Sequence, residues 1–149
     1  MTLTLKVKRL TETAKLPTYA HDGDACFDIY SDGILEESFD ESTCVETELH
    51  NTGLSFDIPN GYAMMIYSRS GQGFKFGARL SNCVGVIDSG YRGEVKVKIT
   101  FDEQNGGFHK KGDRIAQAML IPVPVVAFED VDSLSESDRG TGGFGSSGK

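Results

Sequence analysis

The chain is predicted to be all-β, one sandwich or barrel of short strands, and three observations carry the prediction. Apolar and polar residues alternate at period two in several segments, turn-forming runs such as Pro59-Asn60-Gly61 punctuate them, and the 149 residues hold 18 Gly, no Trp and many β-branched side chains. A chain of this length buries a core as one domain without disulfides or a structural metal.

Leu3, Leu5 and Val7 alternate with Thr4, Lys6 and Lys8, a half-buried strand in a segment that Pro17 ends. In the acid-rich piece that follows, Phe27 and Ile29 flank Asp28, which should point away from the apolar face, either as a solvated edge charge or as a ligand-holding one. Residues 34–39 and 44–49 are short β-prone pieces around an acidic run read as a solvated loop. Asn51-Thr52-Gly53 turns the chain, Leu54, Phe56 and Ile58 alternate up to Pro59, and the return segment makes 54–67 an expected hairpin. Further on, Val95, Val97 and Ile99 alternate with Lys96, Lys98 and Thr100. Turns at Asn105-Gly106-Gly107 and Lys110-Lys111-Gly112-Asp113 lead into one or two core strands over 114–126. Gln117 lies among those apolar residues; an unpaired buried amide costs roughly 1 to 3 kcal/mol, so it needs a partner, protein or ligand.

The formal net charge of −7 argues against a nucleic-acid footprint, which needs a basic face. A small polyanion remains open if basic residues gather locally and a divalent cation offsets the rest. Cys26, Cys44 and Cys83 are too far apart for a disulfide framework or a zinc site, and His21, His50 and His109 are scattered. No apolar run approaches membrane-spanning length, and Met1-Thr2-Leu3-Thr4 opens a strand rather than a signal peptide. A soluble cytoplasmic protein is expected, in the host cytoplasm if the gene is viral, with the nucleus open to a eukaryotic source.

Three stretches carry chemistry. Residues 82–94, Asn-Cys-Val-Gly-Val-Ile-Asp-Ser-Gly-Tyr-Arg-Gly-Glu, put Asp88 between a short apolar run and the turn pair Ser89-Gly90. They read as a β-hairpin with a functional tip, Tyr91 lying against a flat or apolar part of a ligand, and the ligand we expect is a uracil nucleotide. The plain alternative is a surface hairpin with no role beyond its turn. Ser68-Arg69-Ser70-Gly71-Gln72-Gly73 offers a forked cation, a hydroxyl and close backbone approach, a phosphate cradle without the spacing of a P-loop. The alternative there is an exposed Gly-Ser loop. From Glu129 the chain turns acidic and then Gly-rich, dividing into a β domain, 1–136, and an arm, 137–149, mobile in the free protein. Arg139 is placed to grip phosphate and Phe144 to stack on a base, with glycine N–H groups for anionic oxygens; a disordered tail is the alternative.

Taken together, Ala25-Cys26-Phe27-Asp28-Ile29, Arg69-Ser70-Gly71, residues 82–94, Gly112-Asp113-Arg114-Ile115-Ala116-Gln117 and the stretch 139–148 follow, in order, the motifs of the trimeric dUTPase family, which the chain resembles along nearly its whole length. The resemblance implies a jelly-roll-like β domain, a homotrimer with shared active sites, and hydrolysis of dUTP to dUMP and pyrophosphate, limiting uracil incorporation into DNA and supplying dUMP for thymidylate synthesis. It implies that Asp88 activates the water attacking the α-phosphorus, that Arg69, Ser70, Gly71 and Gln117 contact phosphates, and that Asp28 holds Mg²⁺ through water. Asn82 and the backbone of Val86, Ile87 and Lys96 would read uracil, and Tyr91 would pack beneath the deoxyribose. Arg139, Phe144, Gly145 and Ser146 would close over the nucleotide from another subunit. Departures from the family pattern are Cys26 for Gly, Ser68 for Pro and Gln72 at a position usually apolar. Among related enzymes, a dCTP deaminase would need a Glu where this chain has Lys98. A regulatory protein partner, with the acidic pieces 36–48 and 129–138 as candidate contacts, is a further expectation.

Overall fold

The computed structural model describes residues 3–102 and 109–143, and among these the expected all-β fold is present. Its elements are β1 (Lys6–Arg9), β2 (Phe27–Tyr30), β3 (Gly33–Asp40), β4 (Val45–Asn51), β5 (Leu54–Asp57), β6 (Tyr62–Tyr67), α1 (Ser70–Phe76), β7 (Ala78–Leu80), β8 (Val84–Ile87), β9 (Lys96–Phe101) and β10 (Arg114–Pro122). Two antiparallel four-stranded sheets run β2-β10-β6-β8 and β3-β4-β9-β7, and β1 pairs with β5 in a small third sheet. The alternating apolar residues meet in one cluster: Ile29, Met64, Ile66 and Ala118 from the first sheet, Val97, Ile99, Phe101 and Leu80 from the second, Leu54 and Phe56 from the third.

Two expected hairpins are corrected. Tyr62 N–H donates to Pro59 O, so the Pro59-Asn60-Gly61 turn forms, yet β5 pairs with β1 while β6 pairs with β8 and β10. Likewise β8 pairs with β6, whereas β9 lies between β4 and β7, so 82–94 is a crossing between sheets rather than a hairpin. Crossing is favoured because Phe56, Ile87 and Val97 then face a common core instead of one sheet face.

The acidic piece 36–48, a candidate partner contact, is corrected in part. The loop after β3 is exposed, but Glu48 is 1% exposed and cannot serve as a surface contact. Asp32, buried as well, accepts hydrogen bonds from Thr11 and Thr13 and pairs with Lys111, fastening the segment after β1 to the core. Gly53 allows that closure: its φ is +64°, and a Cβ there would lie 2.7 Å from Ala14 Cβ and 2.8 Å from Thr11 Oγ1. Beyond Pro122 the described residues form no helix or strand, and Val125, Phe128 and Leu134 are almost fully exposed. No described helix is long and apolar enough to cross a membrane.

Candidate active site

β8 is the edge of its sheet, so one side of its backbone pairs with β6 and the other presents unpaired N–H and C=O groups. Beside it runs the start of β9, which β7 covers only from Ile99 onward. Between these two strands lies a cleft of about 410 Å³ lined by Asn82, Val86, Ile87, Lys96 and Lys98, with Ile66 and Leu80 among its apolar walls. Four residues expected to read a base are thus brought together. Gly85 keeps the strand close to the sheet, since a Cβ there would meet Ile66 Cβ at 3.2 Å.

The residue after β8 is Asp88, exposed, in a turn closed by Tyr91 N–H on Asp88 O at 3.1 Å. Arg92 braces the turn from below, donating through Nη1 to Ser89 O and through Nη2 to Asp57 on β5, while Ser55 Oγ donates to Arg92 O. Tyr91 folds back over Gly93 and its hydroxyl donates to Glu94 O; a Cβ at Gly93 would overlap the ring.

A second group gathers at the other end of the β2-β10-β6-β8 sheet. Asp28 is buried rather than solvated: Oδ1 accepts from Arg69 Nε at 3.0 Å and Oδ2 from Arg114 Nη1 at 3.1 Å. Gln117, half-buried and opposite both Asp28 and Tyr67 in the ladder, donates its amide to Ser68 O at 2.9 Å and so has a protein partner. Ser68 fastens this turn to β7 of the second sheet, because its Oγ accepts from Leu80 N–H. Arg69 caps α1, and Ser70 and Gly71 form its first turn, where backbone N–H groups lack intrahelical acceptors. A small anion beside Arg69 would meet both a guanidinium and those donors.

Strand register separates the two groups. Tyr67 faces Val84 and Met64 faces Ile87, so Asp88 and Arg69 of one chain lie on the order of 15–20 Å apart along the strands. That exceeds the distance between the α and γ phosphorus atoms of one nucleotide.

Cys26, the thiol near Asp28, is half-buried; burial and then the Asp24 and Asp28 carboxylates push its pKa up, so it is a poor nucleophile at neutral pH. Arg139 donates to Gly142 O within an exposed turn, and Phe144, Gly145 and Ser146 lie outside the described residues.

A third constellation was not foreseen. Glu48, His50 and His109 are buried together, with Glu48 Oε2 accepting from His50 Nε2 at 2.9 Å and from His109 Nδ1 at 2.7 Å. Burial opposes the charge on Glu48, but the hydrogen bonds from His109 and His50 outweigh it and hold the pKa at about 2 against the usual 4.5. A folded pKa below the unfolded one gives stability that is complete above pH 4.5 and is lost as pH falls towards about 2. Urea melts between about pH 6 and 3 should therefore lose on the order of 2 kcal/mol through Glu48 in the wild type. Glu48→Gln should lower stability at neutral pH by a similar amount and flatten that acid limb; identical profiles would refute the assignment.

The profile of the dUTPase family matches residues 12–148. The chain belongs to the dUTPase family. It is 43% identical over 148 residues to the deoxyuridine 5'-triphosphate nucleotidohydrolase of Nautilia profundicola, covering 97% of this chain and 99% of that one. To the enzyme of the same name from Clostridium tetani it is 42% identical over 148 residues, 98% of this chain and 97% of the relative. The solved Staphylococcus bacteriophage 80alpha dUTPase with dUpNHpp superposes with a TM-score of 0.82 at 29% identity, covering 99% of this chain and all of that one.

Within this dUTPase fold, four residues to which sequence reasoning gave no role hold the structure around the site in shape. Arg114 shares Asp28 with Arg69, and its signal was a cation opening an apolar strand. Arg92 sits inside the most specific motif, and only the contact with Asp57, 35 residues earlier, reveals its work. Glu48 and His50 carried a visible sign, two complementary groups at i and i+2 on one strand face, hidden by the surrounding acidic residues.

Proposed function

We propose that the chain hydrolyses dUTP to dUMP and pyrophosphate, and the observation that carries this reading is a cleft at a sheet edge whose lining reaches Ile87, the residue before Asp88. Uracil presents an N3 donor beside an O4 acceptor, and cytosine reverses both. Backbone groups of β8 matched to uracil leave buried partners unpaired with cytosine, a mismatch that discriminates by about 10⁴. Crowding between β8 and β9 refuses the thymine methyl. Tyr91 packs beneath the deoxyribose, leaving no room for a 2′-hydroxyl. Asp88 positions a water in line with the α-phosphorus and takes its proton, a contribution of roughly 10²- to 10⁴-fold. Arg69, Ser70 and Gly71 bind the phosphates of the substrate and hold them in line, while Gln117 fixes the Ser68 backbone that carries them.

The separation of Asp88 from Arg69 supports a site assembled from several copies, Asp88 and the uracil cleft from one subunit and the phosphate cradle from a neighbour. A homotrimer also gives the exposed apolar residues Val125, Phe128 and Leu134 a place to be covered. The arm, 137–149, reaches another subunit's nucleotide, with Arg139 on phosphate and Phe144 over the base.

Asp28 fits Mg²⁺ held through water: each oxygen accepts one guanidinium N–H and keeps a lone pair, and Mg²⁺ characteristically retains its waters beside one carboxylate and substrate phosphates. When bound, the ion neutralises charge on the phosphate oxygens. The Glu48–His50–His109 donor set, two imidazoles in a dry site, does not suit so hard a cation.

Pyrophosphate release measured with dUTP, dTTP, dCTP and UTP in Mg²⁺ is expected from dUTP alone; comparable release from dCTP or dTTP would sink the reading. Gly93→Ala drives the Tyr91 ring off its seat and should narrow the preference for dUTP over UTP by about 10-fold. An unchanged ratio would show that the ring does not police the sugar.

A further inference from the structure

The side chain of Gln72 is half-buried and reaches from α1 to the segment that leads into β10. Its Nε2 lies 2.7 Å from His109 Nε2 and 2.8 Å from Arg114 O. A carbonyl oxygen only accepts, so Nε2 spends one hydrogen on Arg114 O, and its other hydrogen points at His109. His109 Nε2 must then carry a lone pair, which places its proton on Nδ1, where Glu48 Oε2 accepts it at 2.7 Å. Glu48 is itself fixed by His50 Nε2 and by the His109 backbone N–H. The same chain of donors speaks against a metal at this cluster, because a cation on His109 Nδ1 would need a proton on Nε2 and an acceptor where the amide of Gln72 offers only hydrogens.

We propose that Gln72 is a positioning residue for the phosphate end of the active site, a double donor that ties the first turn of α1 to the opening of β10. Both ends of that tie lead to site groups. Gln72 follows Ser70 and Gly71 on α1, and Arg114, whose carbonyl it holds, donates from its side chain to Asp28. β10 is irregular there, its pairing with β2 shifting between Arg114 and Ala116, so the ladder alone does not fix Arg114. His109 supplies the rigid anchor: buried, hydrogen-bonded to Glu48 and packed against the His50 and Phe101 rings at centroid distances of 5.4 and 5.8 Å. Loosening the tie leaves Asp88 and the uracil cleft untouched, so the loss falls on substrate binding rather than on the chemical step. The inference rests on the reading of Arg69, Ser70 and Gly71 as phosphate contacts, but its first readout does not involve activity.

That readout is the tautomer of His109, seen in the ¹⁵N spectrum of the wild-type imidazole near neutral pH. A proton on Nδ1 and a bare Nε2 are expected; a protonated Nε2 would overturn the proposal whether or not dUTP is hydrolysed. The second is Gln72→Met, which keeps length and volume at a partly exposed position and removes both donors. KM for dUTP should rise about 3- to 10-fold, the scale of one or two lost hydrogen bonds, with kcat within about twofold and the melting temperature unchanged. A wild-type KM, or a fall in kcat with KM unchanged, would overturn it. If Gln72→Met fails to fold, the wild-type tautomer decides alone.

Discussion

Asp88→Asn lowers kcat for dUTP by about 10²- to 10⁴-fold while KM stays within a few-fold of the wild type. The split follows from where Asp88 stands. It is exposed at the end of β8, and its side chain takes no part in the hydrogen bonds that close its own turn, which run through Asp88 O, Arg92 and Ser55. An amide of the same shape therefore leaves turn, cleft and fold intact and removes only the proton acceptor. The measurement is steady-state pyrophosphate release for both proteins. A variant that retains a tenth of wild-type kcat would mean that some other group prepares the water, and Asp88 would lose its role.

Deletion of 137–149 has the next largest effect: kcat falls by about 10²-fold or more, and the melting temperature of the remaining chain is unchanged. Among the described residues, nothing beyond Leu120 belongs to the core cluster or packs against it, so 137–143 give the sheets no support. On the proposed reading what is lost is enclosure, the shielding of the anhydride from bulk water by the guanidinium of Arg139 and the ring of Phe144. Full turnover by the shortened protein would contradict this, and a large drop in melting temperature would show that the arm is structural instead.

The sequence disclosed the fold class and the strands because both are local. Alternation in 95–100 and 54–58 becomes β9 and β5 with the expected inward residues, Val97, Ile99, Leu54 and Phe56. Sheet membership is not local, and both predicted hairpins failed for that reason: a turn such as Pro59-Asn60-Gly61 reverses the chain but does not say which strand receives it. Asp28 shows the same limit at a site. Alternation gave it no buried partner, and its burial depends on Arg69 and Arg114, 41 and 86 residues distant. Glu48 reversed the rule that charge runs lie in solvent because two imidazoles from separate segments satisfy it. Motif order already named Asn82, Val86, Ile87 and Lys96, which line one cleft, and implied sites shared between copies; the β6–β8 register adds a physical reason for the sharing.

The central claim is that Asp88 delivers water to the α-phosphorus, and isotopic labelling tests it most directly. Turnover of dUTP in H₂¹⁸O should place the label in dUMP and leave the released pyrophosphate unlabelled. Label in the pyrophosphate would put the attack at the β-phosphorus, beyond the position the cleft and Asp88 define, and would contradict the account.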